Sequence, residues 1–117
     1  MAKTIQLLTA RCGKIRPDSV ADYLAHDGFS ALKKAMNMSP MEIINEVIDA
    51  KLLGRGGASY PAGKKWKQLY EIEGDPKYIV CNADEGEPGT FKDKVLLEKD
   101  PLSIIEGMAI AGYVFNS

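Results

Sequence analysis

The sequence has little of what metal centres and disulfides require. Its 117 residues include two cysteines, Cys12 and Cys81, and one histidine, His26. The cysteines form no CxxC pair, and a metal centre needs three or four converging ligands. We therefore expect no metal site built from this chain alone. The first residues lack an apolar stretch long enough for a signal peptide, which predicts a cytoplasmic location and free thiols.

An excess of charge and a long apolar run are also absent. Fifteen basic and 16 acidic side chains leave a net charge of −1, which favours neither a nucleic acid nor an anionic membrane as partner. The most apolar segment, Leu102 to Phe115, has about 14 residues and is interrupted by Glu106. Because a membrane span needs about 20 residues, the segment predicts a buried helix without membrane insertion.

What the sequence does contain is a series of helix start signals. Ser39-Pro40-Met41-Glu42 is a capping box with proline at the first helical position, and apolar residues follow at helical spacing. The other predicted helices are VADYLAH after Ser19, Phe29 to Met38, Pro61 to Tyr70, Thr90 to Lys99, and the apolar segment after Asp100-Pro101.

Two segments have the composition of strands. Thr4 to Thr9 is a short strand or an extended lead-in, and Lys77 to Cys81 has the tyrosine and β-branched content of a buried strand. The pattern predicts a mixed, helix-rich α/β fold. Residues 1–50 form a helical lead-in, and residues 51–117 contain the motifs that carry chemistry.

The first motif is GRGGASYPAGKKW, from Gly54 to Trp66. Its glycines allow the backbone to approach a ligand closely, and the helix that follows presents free N–H groups and a positive dipole end. Arg55 and the lysines at 64, 65 and 67 add charge suited to phosphate. The motif is neither a P-loop nor a Rossmann GxGxxG sequence. From composition alone, a ligand-binding loop and a flexible loop before a solvated basic helix are about equally supported.

The second motif is KYIVCNADEGEPGTFKD, from Lys77 to Asp93. A strand that delivers Asn82, Asp84, Glu85 and Glu87 into a loop places polar groups where ligands usually bind. Their amide and carboxylate groups can bond to hydroxyl and ring N–H groups. An exposed acidic turn explains the composition about as well, whereas the spacing of a calcium loop is absent.

Together the two motifs resemble the family of flavin subunits of respiratory complex I and of related NAD(P)-linked hydrogenases and formate dehydrogenases. The family pattern is close to GRGGAGFPTGLKW followed by CNADEGEPGTFKDR. This chain has GRGGASYPAGKKW, CNADEGEPGTFKDK and then IIEGMAIAGY. The resemblance covers at least Leu52 to Tyr113 and implies that residues 51–117 are the first half of an FMN- and NADH-binding α/β domain.

The resemblance implies a role for each matching residue. The glycine-rich loop and the acidic loop would hold FMN, and Tyr60 and Glu87 would bind the nicotinamide nucleotide that gives hydride to the flavin. The implied FMN-binding residues are Gly54, Arg55, Gly56, Gly57, Lys65, Asn82, Asp84 and Glu85. No side chain of the protein is assigned as catalytic, because the hydride chemistry belongs to FMN.

Three residues depart from the family pattern. Ser59 replaces a glycine, Gln68 stands where a second aromatic often stacks on adenine, and Lys64 adds a charge that would suit the 2′-phosphate of NADP. Whether the nucleotide is NAD(H) or NADP(H) therefore stays open.

Family members are much longer and continue to a 4Fe–4S cluster whose ligands this sequence does not contain. The resemblance implies an oxidoreductase subunit that passes electrons to iron–sulfur partner subunits. The alternative is a non-catalytic fragment or assembly domain that retains the motifs. In either case we expect the final apolar helix to have little within the chain to pack against.

Overall fold

Helices account for the regular structure in the computed structural model, which describes residues 8–54, 58–83, 89 and 92–117. The helices in these ranges are α1 (Val20–Ala25), α2 (Ser30–Met36), α3 (Pro40–Asp49), α4 (Ala62–Glu71), α5 (Lys92–Lys99) and α6 (Pro101–Phe115). All six were predicted, with ends displaced by a few residues. The helix-rich character of the fold is therefore confirmed.

Local hydrogen bonds explain where two of the helices begin. The Ser19 hydroxyl accepts from the backbone N–H of Asp22, 3.1 Å away, at the start of α1. At the start of α3, the Ser39 hydroxyl accepts from the N–H of Glu42 and the Glu42 carboxylate accepts from the N–H of Ser39. The predicted capping box is thus confirmed in both of its hydrogen bonds.

The strand predicted at Lys77 to Cys81 is not found in the structure. Lys77 to Cys81 has no regular secondary structure and no strand partner among the described residues. Tyr78 and Val80 are 76% and 82% exposed, so the prediction of a buried strand is wrong for this segment. A strand requires pairing with a distant segment, which its own composition does not supply. Most of Thr4 to Thr9 lies outside the described residues, and the α/β part of the fold class stays a prediction.

Helix α6 is the element against which the others pack. It contacts α2, α3, α4 and α5, and its residues Ala111, Val114 and Phe115 are buried. The expectation that this helix would have little to pack against is therefore wrong. The buried core comprises Ala35, Ile43, Ile44, Ala111, Val114 and Phe115.

The charged residue that interrupts α6 is also buried. The Glu106 carboxylate accepts hydrogen bonds from the Tyr23 hydroxyl, from the N–H of Phe29 at 2.8 Å and from the N–H of Leu32 at 3.0 Å. Phe29 is the N-cap residue of α2, has a left-handed φ of 63°, and provides no side-chain cap. Glu106 therefore caps α2 from another helix and also holds α1 through Tyr23.

These hydrogen bonds favour the charged form of the Glu106 carboxyl group. Burial alone would raise the pKa of the Glu106 carboxyl, but the hydrogen bonds from Tyr23 and the two amides, with the charge of Arg11, hold that pKa below its ordinary 4.5. Burial and the bond to Glu106 raise the pKa of Tyr23, so its hydroxyl remains a proton donor.

Arg11 extends this polar cluster to the start of α6. Its Nε donates to the carbonyl oxygen of His26 at 2.7 Å, and its guanidinium carbon lies 4.9 Å from the centre of the Tyr23 ring. Its Nη1 is 3.8 Å from Oδ2 of buried Asp100. Within the described residues, neither carboxylate oxygen of Asp100 accepts a hydrogen bond. Arg11 is thus the cation that faces this buried carboxylate.

We predict that Glu106→Gln lowers the free energy of unfolding by about 2–4 kcal/mol, because one amide cannot accept from three converging donors. Urea unfolding measures this loss. Glu98→Gln, at an exposed position of α5, is the matched control and should change stability by less than about 0.5 kcal/mol. Equal stability of the two variants would contradict the assigned role of Glu106.

The stability difference between wild type and Glu106→Gln should also depend on pH. Since the pKa of Glu106 is lower in the folded chain, the contribution of its charge is fully present above 4.5 and is lost as pH falls through the folded value. Urea unfolding between about pH 7 and about pH 3 should show the difference shrinking on acidification. A stability difference that stays constant with pH would mean that the carboxylate charge does not contribute to that difference.

Candidate functional site

The two ends of the glycine-rich segment are held together by backbone hydrogen bonds. The N–H of Gly54 donates to the carbonyl of Tyr60 at 2.8 Å, and the N–H of Ala62 donates to the carbonyl of Leu52 at 2.9 Å. Leu53 and Pro61 form an antiparallel bridge between them. The segment is therefore a closed loop that leads directly into the first turn of α4.

Two positions of this loop explain why small residues occur here. A β-carbon on Gly54 would lie 3.4 Å from the carbonyl oxygen of Tyr60, at the edge of close contact. Ser59 has a φ of 52°, in the left-handed region that glycine adopts without strain. The departure at Ser59 thus places a side chain where glycine would be the easier residue.

Gly63 brings α4 close to α3. A β-carbon at this position would lie 2.5 Å from Cγ1 and 2.7 Å from the backbone nitrogen of Ile48, so no other residue fits without displacing a helix. Pro61 is the N-cap residue of α4, and no side chain among the described residues caps that end through a hydrogen bond. The first N–H of α4 already donates to the carbonyl of Leu52, so the next two N–H groups are the ones left for a ligand in the described part of the chain.

Predicted nucleotide and cofactor residues lie on the same helix start. The Tyr60 ring is 40% exposed, its hydroxyl donates to Oε1 of Gln68 at 3.3 Å, and Nζ of Lys64 lies 5.8 Å from the ring centre. Lys65 is exposed in the first turn of α4. Gln68, noted only as a departure from the family pattern, thus contacts the predicted adenine platform.

The second motif begins on the opposite end of α4. Nζ of Lys77 donates to the carbonyl of Leu69 at 3.1 Å, and the Ser117 hydroxyl donates to the carbonyl of Lys77 at 2.7 Å. Ile79 and Trp66 both pack against the core, and the Trp66 ring centre lies 5.5 Å from that of Phe115. These contacts hold the segment that leads to exposed Asn82.

The structure thus covers part of the predicted site. Gly54, Tyr60 and Lys65 lie at the loop and the first turn of α4, and Asn82 ends the docked segment. The remaining predicted residues, Arg55, Gly56, Gly57, Asp84, Glu85 and Glu87, lie outside the described residues.

The cysteine and the histidine nearest to the two motifs and to α1 are both exposed. Cys81 is a free, exposed thiol. His26 is exposed at the end of α1. In the described ranges no three His, Cys, Asp or Glu side chains converge on a possible metal position, and no helix is long and apolar enough to cross a membrane. The roles of Arg11 and Glu106 were missed; the only signal was a carboxylate within an apolar helix.

The glycine-rich loop is paired at its two ends and leads into the start of α4. In comparison with known proteins, the family described as the Nuo51 FMN-binding domain matches residues 47–117, more than half of the chain. The chain belongs to this family, and the resemblance stated from its two motifs is confirmed.

Several relatives are similar over nearly the whole chain. It is 49% identical over 114 residues to a subunit of the NADH-quinone oxidoreductase of Aquifex aeolicus, an alignment that covers 97% of the chain and 26% of the relative. It is 44% identical over 115 residues to HndC, a subunit of the NADP-reducing hydrogenase of Solidesulfovibrio fructosivorans, covering 98% of the chain and 23% of the relative.

The alpha subunit of the NAD-reducing hydrogenase HoxS of Cupriavidus necator is 46% identical over 87 residues, which cover 74% of the chain and 14% of that relative. The chain therefore spans about a quarter or less of the length of these relatives. The relatives are named as oxidoreductase and hydrogenase subunits.

We predict that Gly63→Ala destabilises the chain by about 1–3 kcal/mol, because its β-carbon meets backbone as well as side-chain atoms of Ile48. Gly107→Ala in α6 is the matched control: its β-carbon meets nothing within 4 Å, and alanine should stabilise the helix by about 0.5–1 kcal/mol. Thermal unfolding of both variants measures the effect. A change of the melting temperature in the same direction for both variants would contradict the close approach of α3 and α4.

Proposed function

We propose that the chain supplies the first part of the FMN site of a flavoprotein subunit that oxidises NADH or NADPH. Membership of the FMN-binding family supports this proposal. The observation that carries it is the closed glycine-rich loop before the uncapped start of α4. Such a helix start favours a negatively charged group, and the exposed Lys65 adds a cation beside it.

The features of this site fit a phosphate-bearing flavin. The loop is closed at its ends beside Gly54, and the first turn of α4 offers N–H donors. Gly54, Arg55, Gly56, Gly57 and Lys65 would hold the flavin from this loop. Asn82, Asp84 and Glu85 would bind it from the second loop, where amide and carboxylate oxygens accept from hydroxyl and N–H groups.

FMN, when bound, supplies the acceptor for hydride. The residues of the chain contribute orientation and electrostatics. Tyr60 presents an exposed ring on which a nucleotide base can stack, and its hydroxyl is oriented by Gln68. Glu87 would contact the same nucleotide. Electrons would then pass to iron–sulfur centres in partner subunits of a larger complex.

The choice between NAD and NADP depends on the surroundings of Tyr60. Lys64 lies close enough to the ring for a cation–π contact, and this cation would also suit a 2′-phosphate. The named relatives include both NADP-reducing and NAD-reducing enzymes. We therefore propose a nicotinamide nucleotide as substrate. Whether it is NAD(H) or NADP(H) is a question for a binding experiment with both nucleotides.

The FMN proposal is tested by titrating the chain with FMN and following flavin fluorescence. We expect quenching at about tens of micromolar protein, and roughly tenfold weaker binding for Asp84→Asn, equivalent to about 1.4 kcal/mol. Asp49→Asn, an exposed position of α3, is the matched control and should bind as wild type does.

A chain that leaves the fluorescence unchanged, while a protein of the relatives' length quenches it, would contradict FMN binding by this part. That result would favour the alternative of a non-catalytic assembly domain that retains the motifs. Equal binding by the Asp84→Asn and control variants would contradict the role of the acidic loop.

A further inference from the structure

The outer side of the α3–α4 pair has an apolar pocket with a basic rim. Its volume is about 290 Å³. The apolar part is formed by Val47, Ile48, Leu52 and Pro61, and Leu52 is 48% exposed. The pocket exists because Gly63 brings the two helices together without a side chain between them.

Three lysines line this pocket, and no carboxylate does. Lys51 follows the end of α3, with a φ of 54°, and Lys64 and Lys67 lie one turn apart on α4. In the described part of the chain, none of the three has an acidic side chain within ion-pair distance. Lys51 and Lys67, and Lys64 beside the Tyr60 ring, therefore present three positive charges that no described carboxylate pairs with.

We propose that this pocket docks an acidic segment of a partner polypeptide, with one apolar side chain inserted between α3 and α4 and carboxylates at the lysine rim. Charge complementarity carries the choice of partner, because an uncharged or basic segment would leave the rim unpaired. An apolar anchor in a pocket with a polar rim is the usual arrangement of a specific protein interface.

The dimensions of the pocket favour a side chain over a free ligand. Small-molecule sites have volumes of roughly 300–1,000 Å³ and enclose most of their ligand. This pocket, at about 290 Å³, is just below that range, and its lining residues Ile48 and Leu52 are 39% and 48% exposed. The relatives are themselves named as subunits, for which a protein-docking surface is expected.

The pocket adjoins the proposed flavin site, because Pro61 and Gly63 at the start of α4 line it. Lys64 also lies near the Tyr60 surface, with its Nζ 5.8 Å from the centre of that ring. The inference does not require FMN binding. Lys51 and Lys67 are therefore the positions to change, and the measurements are made without flavin.

The test is a selection of random peptides displayed on phage against the immobilised chain. We expect the selected peptides to be rich in aspartate and glutamate around one large apolar residue. Synthetic, dye-labelled copies are then titrated by fluorescence anisotropy. Lys51→Glu with Lys67→Glu should weaken binding roughly tenfold or more, and added salt should weaken binding to the wild type.

The control variant reverses the charge of two lysines that do not line the pocket. Lys14→Glu with Lys33→Glu, both at exposed positions, should leave the affinity within about twofold of wild type. Circular dichroism checks that each variant is folded. If the Lys51 and Lys67 reversal disturbs the fold, Lys51→Gln with Lys67→Gln replaces it, with an expected loss of roughly threefold.

Four results would overturn the proposal. The first three are selected peptides without acidic residues, binding to the Lys51 and Lys67 variant as tight as to the wild type, and an equal loss of affinity in the control pair. A dimer of the chain in sedimentation that the Lys51 and Lys67 reversal dissociates would instead assign the pocket to a second copy, and would also overturn it.

Discussion

The arrangement of the first and last helices depends on the hydrogen bonds that the buried carboxylate of Glu106 accepts. This carboxylate accepts from the Tyr23 hydroxyl of α1 and from the N–H groups of Phe29 and Leu32 at the start of α2. A buried charge is costly unless it is fully hydrogen-bonded. Three converging donors meet that condition, so α6 can lie at the centre of the packing while retaining a charged residue.

From α6 the packing leads to the proposed site. Phe115 near the end of α6 contacts Trp66 edge to face, which places α4 against the core. Gly63 then brings the start of α4 onto Ile48 of α3, and the hydrogen bonds of Gly54 and Ala62 close the glycine-rich loop at that junction. The loop is thus held by two packed helices, and its position depends on a glycine outside the proposed FMN-binding residues.

Helix starts could be predicted from the sequence because the causes are local. Ser19 and the Ser39–Glu42 box act over three residues, and both are found as predicted. The partners of Glu106 lie 74 to 83 residues away in the chain, so only its position within an apolar helix gave a signal. The strand predicted around the exposed Tyr78 is wrong for a related reason: strand composition does not show whether a pairing partner is present.

Motif spacing was the more informative part of the sequence for function, since it led to the family before any contact was known. The structure adds the closed loop, the Tyr60–Gln68 contact and the lysine-rimmed pocket, none of which spacing alone contains. The left-handed backbone at Ser59 also follows from folded geometry alone.

The most direct test of the central claim is nuclear magnetic resonance of the isotope-labelled chain titrated with FMN. If the two motifs form one side of a flavin site, the amide chemical shifts of Gly54–Gly57 and Asn82–Glu85 should change most. The amides at the start of α4 should show the next largest changes. Shifts confined to other parts of the chain, or no change at concentrations at which the longer relatives bind flavin, would contradict the account.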